Sequence, residues 1–196
     1  GNTTITNLDL VYNKISFITL TNSGYLDYTK NCIKSLKKYN NKCSLKCYTI
    51  DNLAYNKLKY TYNNTYLLND NNEDLSEFIL CDNKNKQWGE LVFNKFKIIY
   101  ENLCNYEYVL FTDGDIVFEK EGFIEYCYDH IYDNDVIGQN DSSILGFNQI
   151  CTGFIFIKSN DITKKYFNPK NIDKDNFLSD QIYFNSIKKN MKYKYL

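Results

Sequence analysis

The hydrophobic and polar positions of this chain follow two periods in turn. ISFITL (15–20) is a short, continuous, β-branched run, as in a strand buried on both faces. TNSG (21–24) is a turn. DYTKNCIKSLKKY (27–39) then places apolar residues at 28, 32, 33 and 36, which is helix spacing. CSLKCYTID (43–51) reads as a second strand ending in Asp51, so the chain opens with a strand–helix–strand unit, which predicts a parallel sheet. Residues 52–87 are polar and Asn-rich. They read as a long excursion with a short helix at 74–80, because a bare loop of that length is unusual. WGELVFNKFKIIYENL (88–103) carries a helical stripe of Val92, Phe96, Ile99 and Leu103. Beyond it the pattern predicts a strand YEYVLF (106–111), a short strand IVF (116–118), a helix over 121–132 and a strand DVIG (135–138). A polar loop (139–149), the strand CTGFIFIK (151–158) and the helix NDITKKYF (160–167) follow, then a helix capped by Ser179 and running to about 190. There is no internal repeat and no linker, and the only proline is Pro169. The pattern predicts one α/β domain over residues 1–196, with a mainly parallel central sheet flanked by helices.

Composition narrows the functional classes. With 43% hydrophobic and 17% aromatic residues over 196 positions, the chain can bury a sizeable core and does not read as disordered. Its net charge is −1 and its charges are interspersed, which excludes a nucleic-acid partner. All 23 basic residues are Lys. Together with abundant Asn, Ile and Tyr this suits an AT-rich genome, such as that of a giant virus, so many Lys and Asn carry no message. No apolar run approaches the roughly 20 residues that span a bilayer, and no secretory core opens the chain. The seven cysteines (32, 43, 47, 81, 104, 127 and 151) are scattered, and Cys43 and Cys47 lack zinc-knuckle spacing. Reduced thiols in an intracellular, cytoplasmic protein are the expectation. Three sequons, at Asn2, Asn63 and Asn140, are no more than an Asn-rich chain produces by chance.

The candidate chemistry lies in YEYVLFTDGDIVF (106–118). An apolar strand climbs toward solvent and ends in Asp113-Gly114-Asp115. In an extended segment, residues i and i+2 face one side, so the two carboxylates can converge at the strand's carboxyl end. Two uncompensated carboxylates repel, and a divalent cation removes that penalty. Hard oxygens favour Mg²⁺ or Mn²⁺, which commonly share their shell with substrate phosphates. A solvated Asp-Gly-Asp turn is the bland alternative. Two enzyme classes use such a pair. Dehalogenase-like phosphatases open their first strand with DxDx[TV], and an acidic pair follows later; here the motif lies past the midpoint and no Asp-Asp pair follows. GT-A-fold glycosyltransferases end a mid-chain strand in DxD.

Several segments together resemble the nucleotide-diphospho-sugar transferases of the GT-A fold. FNKFKIIYENLCNYEYVLFTDGDIVF is similar to their helix–strand–DxD core. TLTNSGYLDYTKNCIKSL (19–36), DVIGQND (135–141), CTGFIFIKSN (151–160) and SDQIYFN (179–185) stand in that family's order, so the resemblance covers nearly the whole chain. It implies a metal-dependent glycosyltransferase that moves a sugar from a nucleoside-diphosphate sugar, a UDP-sugar foremost, to an acceptor hydroxyl on a glycan, protein or small molecule. The roles it implies are Mn²⁺ or Mg²⁺ on Asp113 and Asp115, and nucleotide contacts from Thr19, Thr21, Asn22 and Gly114. Lys95, favoured over Lys97, sits on the apolar side of its helix and would meet the diphosphate, with a snorkelling stem as the plain alternative. Asn140 and Asp141, with Gln139 beside them, would reach the donor sugar, as would Thr152 and Gly153. Asp180 and Gln181 would stand at the reacting centre, although an Asp in a first helical turn also simply complements the dipole. Asp51 reads as a turn-former or a crevice residue, Trp88 as a stacking or core residue, and the lone His130 as a surface residue. Two departures stand out. Cys151 replaces the family's usual Asn, and no histidine near the C-terminus can complete the metal shell. The YKYL ending suggests a domain cut short, and a non-catalytic sugar-nucleotide or glycan-binding domain stays open beside the phosphatase.

Overall fold

The computed structural model describes residues 7–68, 86–141, 148–173 and 180–196. The helix expected at 74–80, the Ser179 cap and the side chains of Trp88 and Val92 lie outside the described residues.

The elements follow the sequence pattern closely. A short helix α1 (Asn7–Asn13) precedes β1 (Ile15–Thr21), whose residues are all buried except Leu20. Helix α2 (Leu26–Tyr39) turns Leu26, Cys32, Ile33 and Leu36 inward. Strand β2 (Leu45–Thr49) leads to α3 (Asn52–Lys59) and β3 (Thr65–Leu67). Both α3 and β3 fall in the stretch read as a polar excursion; α3 is anchored by only two buried side chains, Ala54 and Leu58, too sparse a stripe to see in sequence. Helix α4 (Lys86–Leu103), strand β4 (Tyr108–Thr112), helix α5 (Phe123–His130), strand β5 (Val136–Asn140), strand β6 (Ile150–Lys158), helix α6 (Asp161–Phe167), helix α7 (Asp180–Ile187) and strand β7 (Tyr193–Tyr195) complete the chain. The strand expected at 116–118 does not form. Its residues run outside the sheet, with Val117 exposed and Phe118 buried against Phe123.

The seven strands lie in the order β3-β2-β1-β4-β6-β5-β7. Pairs β1–β2, β1–β4, β2–β3 and β5–β7 are parallel; β6 alone runs against its neighbours β4 and β5. Alternate residues feed two cores. Ile15, Phe17, Leu110 and Phe156 pack toward α2, α3 and α5, while Ile18, Val109, Phe111, Ile155 and Ile157 pack toward α4, α6 and α7. Helices on both faces are what a parallel sheet requires. From β1 the chain builds outward to β2 and β3, and from β4 outward in the opposite direction. The carboxyl ends of β1 and β4 therefore flank the point where strand order reverses, the usual place for a ligand crevice in an open α/β sheet.

Candidate active site

A cleft of about 290 Å³ opens at that point, with Asn22, Lys95, Asp113, Asp115, Thr152 and Asp180 among its walls. Asp113 follows β4 directly. Its N–H donates to the Gly153 carbonyl of β6 at 2.7 Å, which fixes the turn against the neighbouring strand. A Cβ on Gly153 would lie 2.6 Å from Asp113 Oδ2, so only glycine leaves this carboxylate its place. Gly114 is needed for space rather than for backbone freedom. Its φ is not positive, and a Cβ there would sit 2.6 Å from Thr29 Oγ1 of α2. Asp115 points into solvent.

Behind the turn lies a buried ion pair. Lys95, only 5% exposed, reaches from α4 and donates from Nζ to Asp180 Oδ2 at 2.6 Å. The same ammonium stands 3.6 Å from Asp113 Oδ1 and 4.4 Å from the centre of the Phe111 ring. Thr152 donates to Asp180 Oδ2 at 2.8 Å. Burial acts against ionisation of Asp180, but the charge and hydrogen bond of Lys95, with help from Thr152 and the Gln181 backbone, outweigh it and hold the carboxyl below its usual range. Burial likewise works against the Lys95 charge, and Asp113 and Asp180 reverse it, so the ammonium is held above its ordinary value. Asp113 moves the other way. Loss of water around it pushes its carboxyl up; the positive charge of Lys95 opposes this, and the negative charges of Asp180 and Asp115 add to it. One lysine thus serves several carboxylates, and Asp113 is the one left short of positive charge.

Of the residues expected to meet the nucleotide, Thr21 and Asn22 line the cleft, with Tyr25 beside them. Asn22 Oδ1 accepts from Tyr25 N–H at 3.0 Å, while its Nδ2 is buried without a partner among the described residues. Thr19 does not reach the cleft. Two residues before the end of β1, it is fully buried inside the sheet opposite Cys47. Asp51 is also fully buried; it caps α3 through Ala54 N–H at 2.7 Å and holds Ser23 N–H at 2.9 Å, bracing the loop from behind.

On the far side, Gln181 Nε2 donates to Asp141 Oδ2 at 3.3 Å and to Gln149 Oε1 at 3.1 Å. Asn140 is exposed and bonded to Asn148 at 3.2 Å, outside the cleft lining. Gln139 is exposed and lines a separate groove with Phe123 and Tyr126. Lys97 does not line the cleft. His130 stacks on Tyr126 at 3.9 Å near the end of α5 and takes no part in the cleft. Cys151 does line it, and burial raises its thiol above the ordinary range. Thr29, Gln149 and Asn185 were not singled out from sequence, nor were Tyr25 and Phe111 of the cleft wall. Asn185 clasps the Ile150 N–H at 2.9 Å and its carbonyl at 3.0 Å, tying α7 and its leading Asp180 to β6. The polar pair before CTG and the Asn closing SDQIYFN were the only signals available.

Among the described residues, no three His, Cys, Asp or Glu side chains converge to form a complete metal cage. Asp113 and Asp115 can supply two hard oxygen donors, which suits a cation whose remaining ligands are phosphate and water.

The reversed strand order thus places an acidic turn at the switch-point crevice, where open α/β sheets bind ligands. Residues 47–195 match the model of the nucleotide-diphospho-sugar transferases, and the chain belongs to that family. This membership sets aside the phosphatase reading of the aspartate pair. A UDP-galactose:fucoside alpha-3-galactosyltransferase of Dictyostelium discoideum is 26% identical over 188 residues, covering 83% of this chain; the chain spans 28% of that relative's length. The galactosyltransferase LgtC, solved with donor and acceptor sugar analogs, superimposes with a TM-score of 0.53 at 15% identity, over 91% of this chain and 66% of its own. A mannosyltransferase of Pyrobaculum calidifontis, solved with GDP-Man and Mn²⁺, gives a TM-score of 0.56 at 8% identity, over 93% and 54%. The sheet and its flanking helices are those of the GT-A fold. No helix among the described residues is long and apolar enough to cross a membrane.

Proposed function

We propose that this chain is a glycosyltransferase domain that transfers a sugar from a UDP-sugar to an acceptor hydroxyl, with Mn²⁺ or Mg²⁺ held by Asp113 and Asp115. The observation that carries the reading is the cleft's polarity along its length. An unpartnered buried amide, Asn22 Nδ2, stands at one strand end, and a carboxylate short of positive charge, Asp113, stands at the next. A nucleoside diphosphate bound with a divalent cation complements both. UDP is the first donor to try because the Dictyostelium relative is a UDP-galactose transferase; GDP is the second, since the Pyrobaculum fold neighbour was solved with GDP-Man.

Asn22 Nδ2 donates to an acceptor atom of the base or ribose, relieving the cost of a buried unpaired donor, about 1–3 kcal/mol. Thr21 holds the loop that presents it. Gly153 leaves room for the Asp113 carboxylate, and the donor sugar lies beside both and the Thr152 hydroxyl. Lys95 acts as counter-ion to Asp180 and Asp113 rather than as a free hand for the diphosphate, because its ammonium is already engaged by both. Asp180, kept ionised and oriented, accepts a hydrogen bond from a donor-sugar hydroxyl at the reacting centre. Gln181, fixed by Asp141 and Gln149, bounds that centre on the far side. The cation, when bound, neutralises charge building on the departing nucleoside diphosphate.

Isothermal titration of UDP into the protein, with Mn²⁺ and with EDTA, on the wild type and on Asp115→Ala, tests this. Micromolar binding that requires both Mn²⁺ and Asp115 is the expected result. Absence of UDP binding under every condition would sink the UDP-sugar reading and send the question to GDP. Binding without turnover of any donor would point to a sugar-nucleotide-binding domain instead.

A further inference from the structure

We propose that Thr29 is a positioning residue that locks the nucleotide-end loop to the acidic turn and so couples nucleotide binding to cation binding. The inference rests on the reading of the cleft as a UDP–metal site. Thr29 lies in α2, outside the cleft lining, and is fully buried. Its hydroxyl donates to the Tyr25 carbonyl one turn back at 3.1 Å, the usual bond of a mid-helix threonine. The same hydroxyl shares a 2.7 Å hydrogen bond with Thr21 Oγ1, in which either oxygen can donate, since Thr21 Oγ1 also has the Asn22 carbonyl as an acceptor at 3.3 Å. One oxygen thereby ties the last residue of β1 to the loop that carries Asn22 and Tyr25.

The same oxygen also supports the acidic turn. A Cβ built on Gly114 would meet Thr29 Oγ1 at 2.6 Å, Thr29 Cβ at 3.6 Å and Thr29 Cα at 3.8 Å, so the glycine backbone rests directly on this residue. The turn between Asp113 and Asp115 cannot settle toward α2, and the loop cannot shift along it, without disturbing one hydroxyl. Whatever orders one side prepares the other. Such coupling is reciprocal between sites, with factors of roughly 5–150 in binding constants.

The experiment is the titration of UDP in EDTA and in Mn²⁺ on wild type, Thr29→Val and Thr29→Ser, with a melting temperature for each. Wild type should bind UDP more tightly in Mn²⁺ than in EDTA. Thr29→Val should lose roughly tenfold of that enhancement while its affinity in EDTA stays near wild type, and Thr29→Ser should restore the enhancement. If Thr29→Val cannot be titrated because it unfolds, Thr29→Ala and Thr29→Ser give the same comparison. Three results would overturn the proposal: an undiminished enhancement in the variant lacking the hydroxyl, an equal loss in EDTA and Mn²⁺, or a Thr29→Ser that behaves like the hydroxyl-free variant. A wild type that binds UDP equally well in both media, or not at all, would overturn the reading of the cleft and this inference with it.

Discussion

Lys95 shows how much one residue can settle. A buried ammonium persists only where carboxylates offset its desolvation, and removing one partner of a buried pair costs more than the pair is worth. Replacing Lys95 by Met keeps the stem's volume and strips the counter-ion from Asp180 and Asp113. We expect a loss of about 3–5 kcal/mol in stability, read from urea unfolding in EDTA, with part of it regained in Mn²⁺. A change below about 1 kcal/mol would mean that water already shares the pair. Lys95 was legible in the sequence because it breaks an apolar stripe, and Asp113 and Asp115 because two charges end an apolar strand. Thr29 and Asn185 were not, because each works on residues that only the folded sheet brings near: Gly114 is 85 positions from Thr29, and Ile150 is 35 from Asn185. Thr19 misleads for the opposite reason. Its neighbours in sequence are cleft residues, but its position inside the sheet removes it from them.

Among the elements, those with dense apolar patterns were readable and the sparse ones were not. β1, α2, α4, β4 and β6 carry enough buried Ile, Leu, Phe and Val to show their period. β3 and β7, with three residues each, gain their order from parallel pairing at the sheet edges, which leaves little mark on sequence. IVF has strand composition, but it follows the tight turn held by Gly153 and Thr29 and is carried off the sheet. The join between β1 and α3 depends on Asp51, which a sequence reading leaves as a turn-former or a crevice residue. Its two oxygens cap α3 and hold the Ser23 N–H. Asp51→Ala should therefore cost about 2–3 kcal/mol, the sum of a lost cap and a lost charged hydrogen bond in the interior. Asp51→Asn should cost less, since an amide oxygen still caps while its NH₂ turns a donor toward Ser23 N–H. Denaturant midpoints of the two variants check the order, and equal losses would show that the bond to Ser23, which both variants lose, carries the whole effect.

Across the whole molecule, charge and thiols are partitioned. Residues 101–141 hold eleven Asp and Glu against one Lys, and the turn that would take a cation lies within this acidic stretch of the sequence. Among the described residues, four of the six thiols lie inside, while Cys104 is exposed and Cys151 half-buried. Cys32, Cys43, Cys47 and Cys127 are buried and unpaired in disulfides. Burial pushes the Cys127 thiol up to about 12. Burial first, then the negative charges of Asp115 and Asp113, pushes Cys32 up to about 12 as well. Cys43 and Cys47 are raised by burial in the same sense. An unfolded chain releases these protons near the ordinary value of 9, while the folded chain keeps them until about 12. Between those limits the folded state binds more protons, so stability falls as pH rises. Each such thiol contributes a slope of up to roughly 1.4 kcal/mol per pH unit. Half-buried tyrosines with the same sign, Tyr62 and Tyr183, steepen the fall above their ordinary value of 10. Urea midpoints should therefore be flat near neutrality and decline from about pH 9, and Cys127→Ala, though less stable overall, should decline more gently by one thiol's share. A flat profile from pH 8 to 10.5 would mean that these thiols exchange protons with solvent in the native state, and that the core around α2, β2 and α5 opens far more readily than its packing implies.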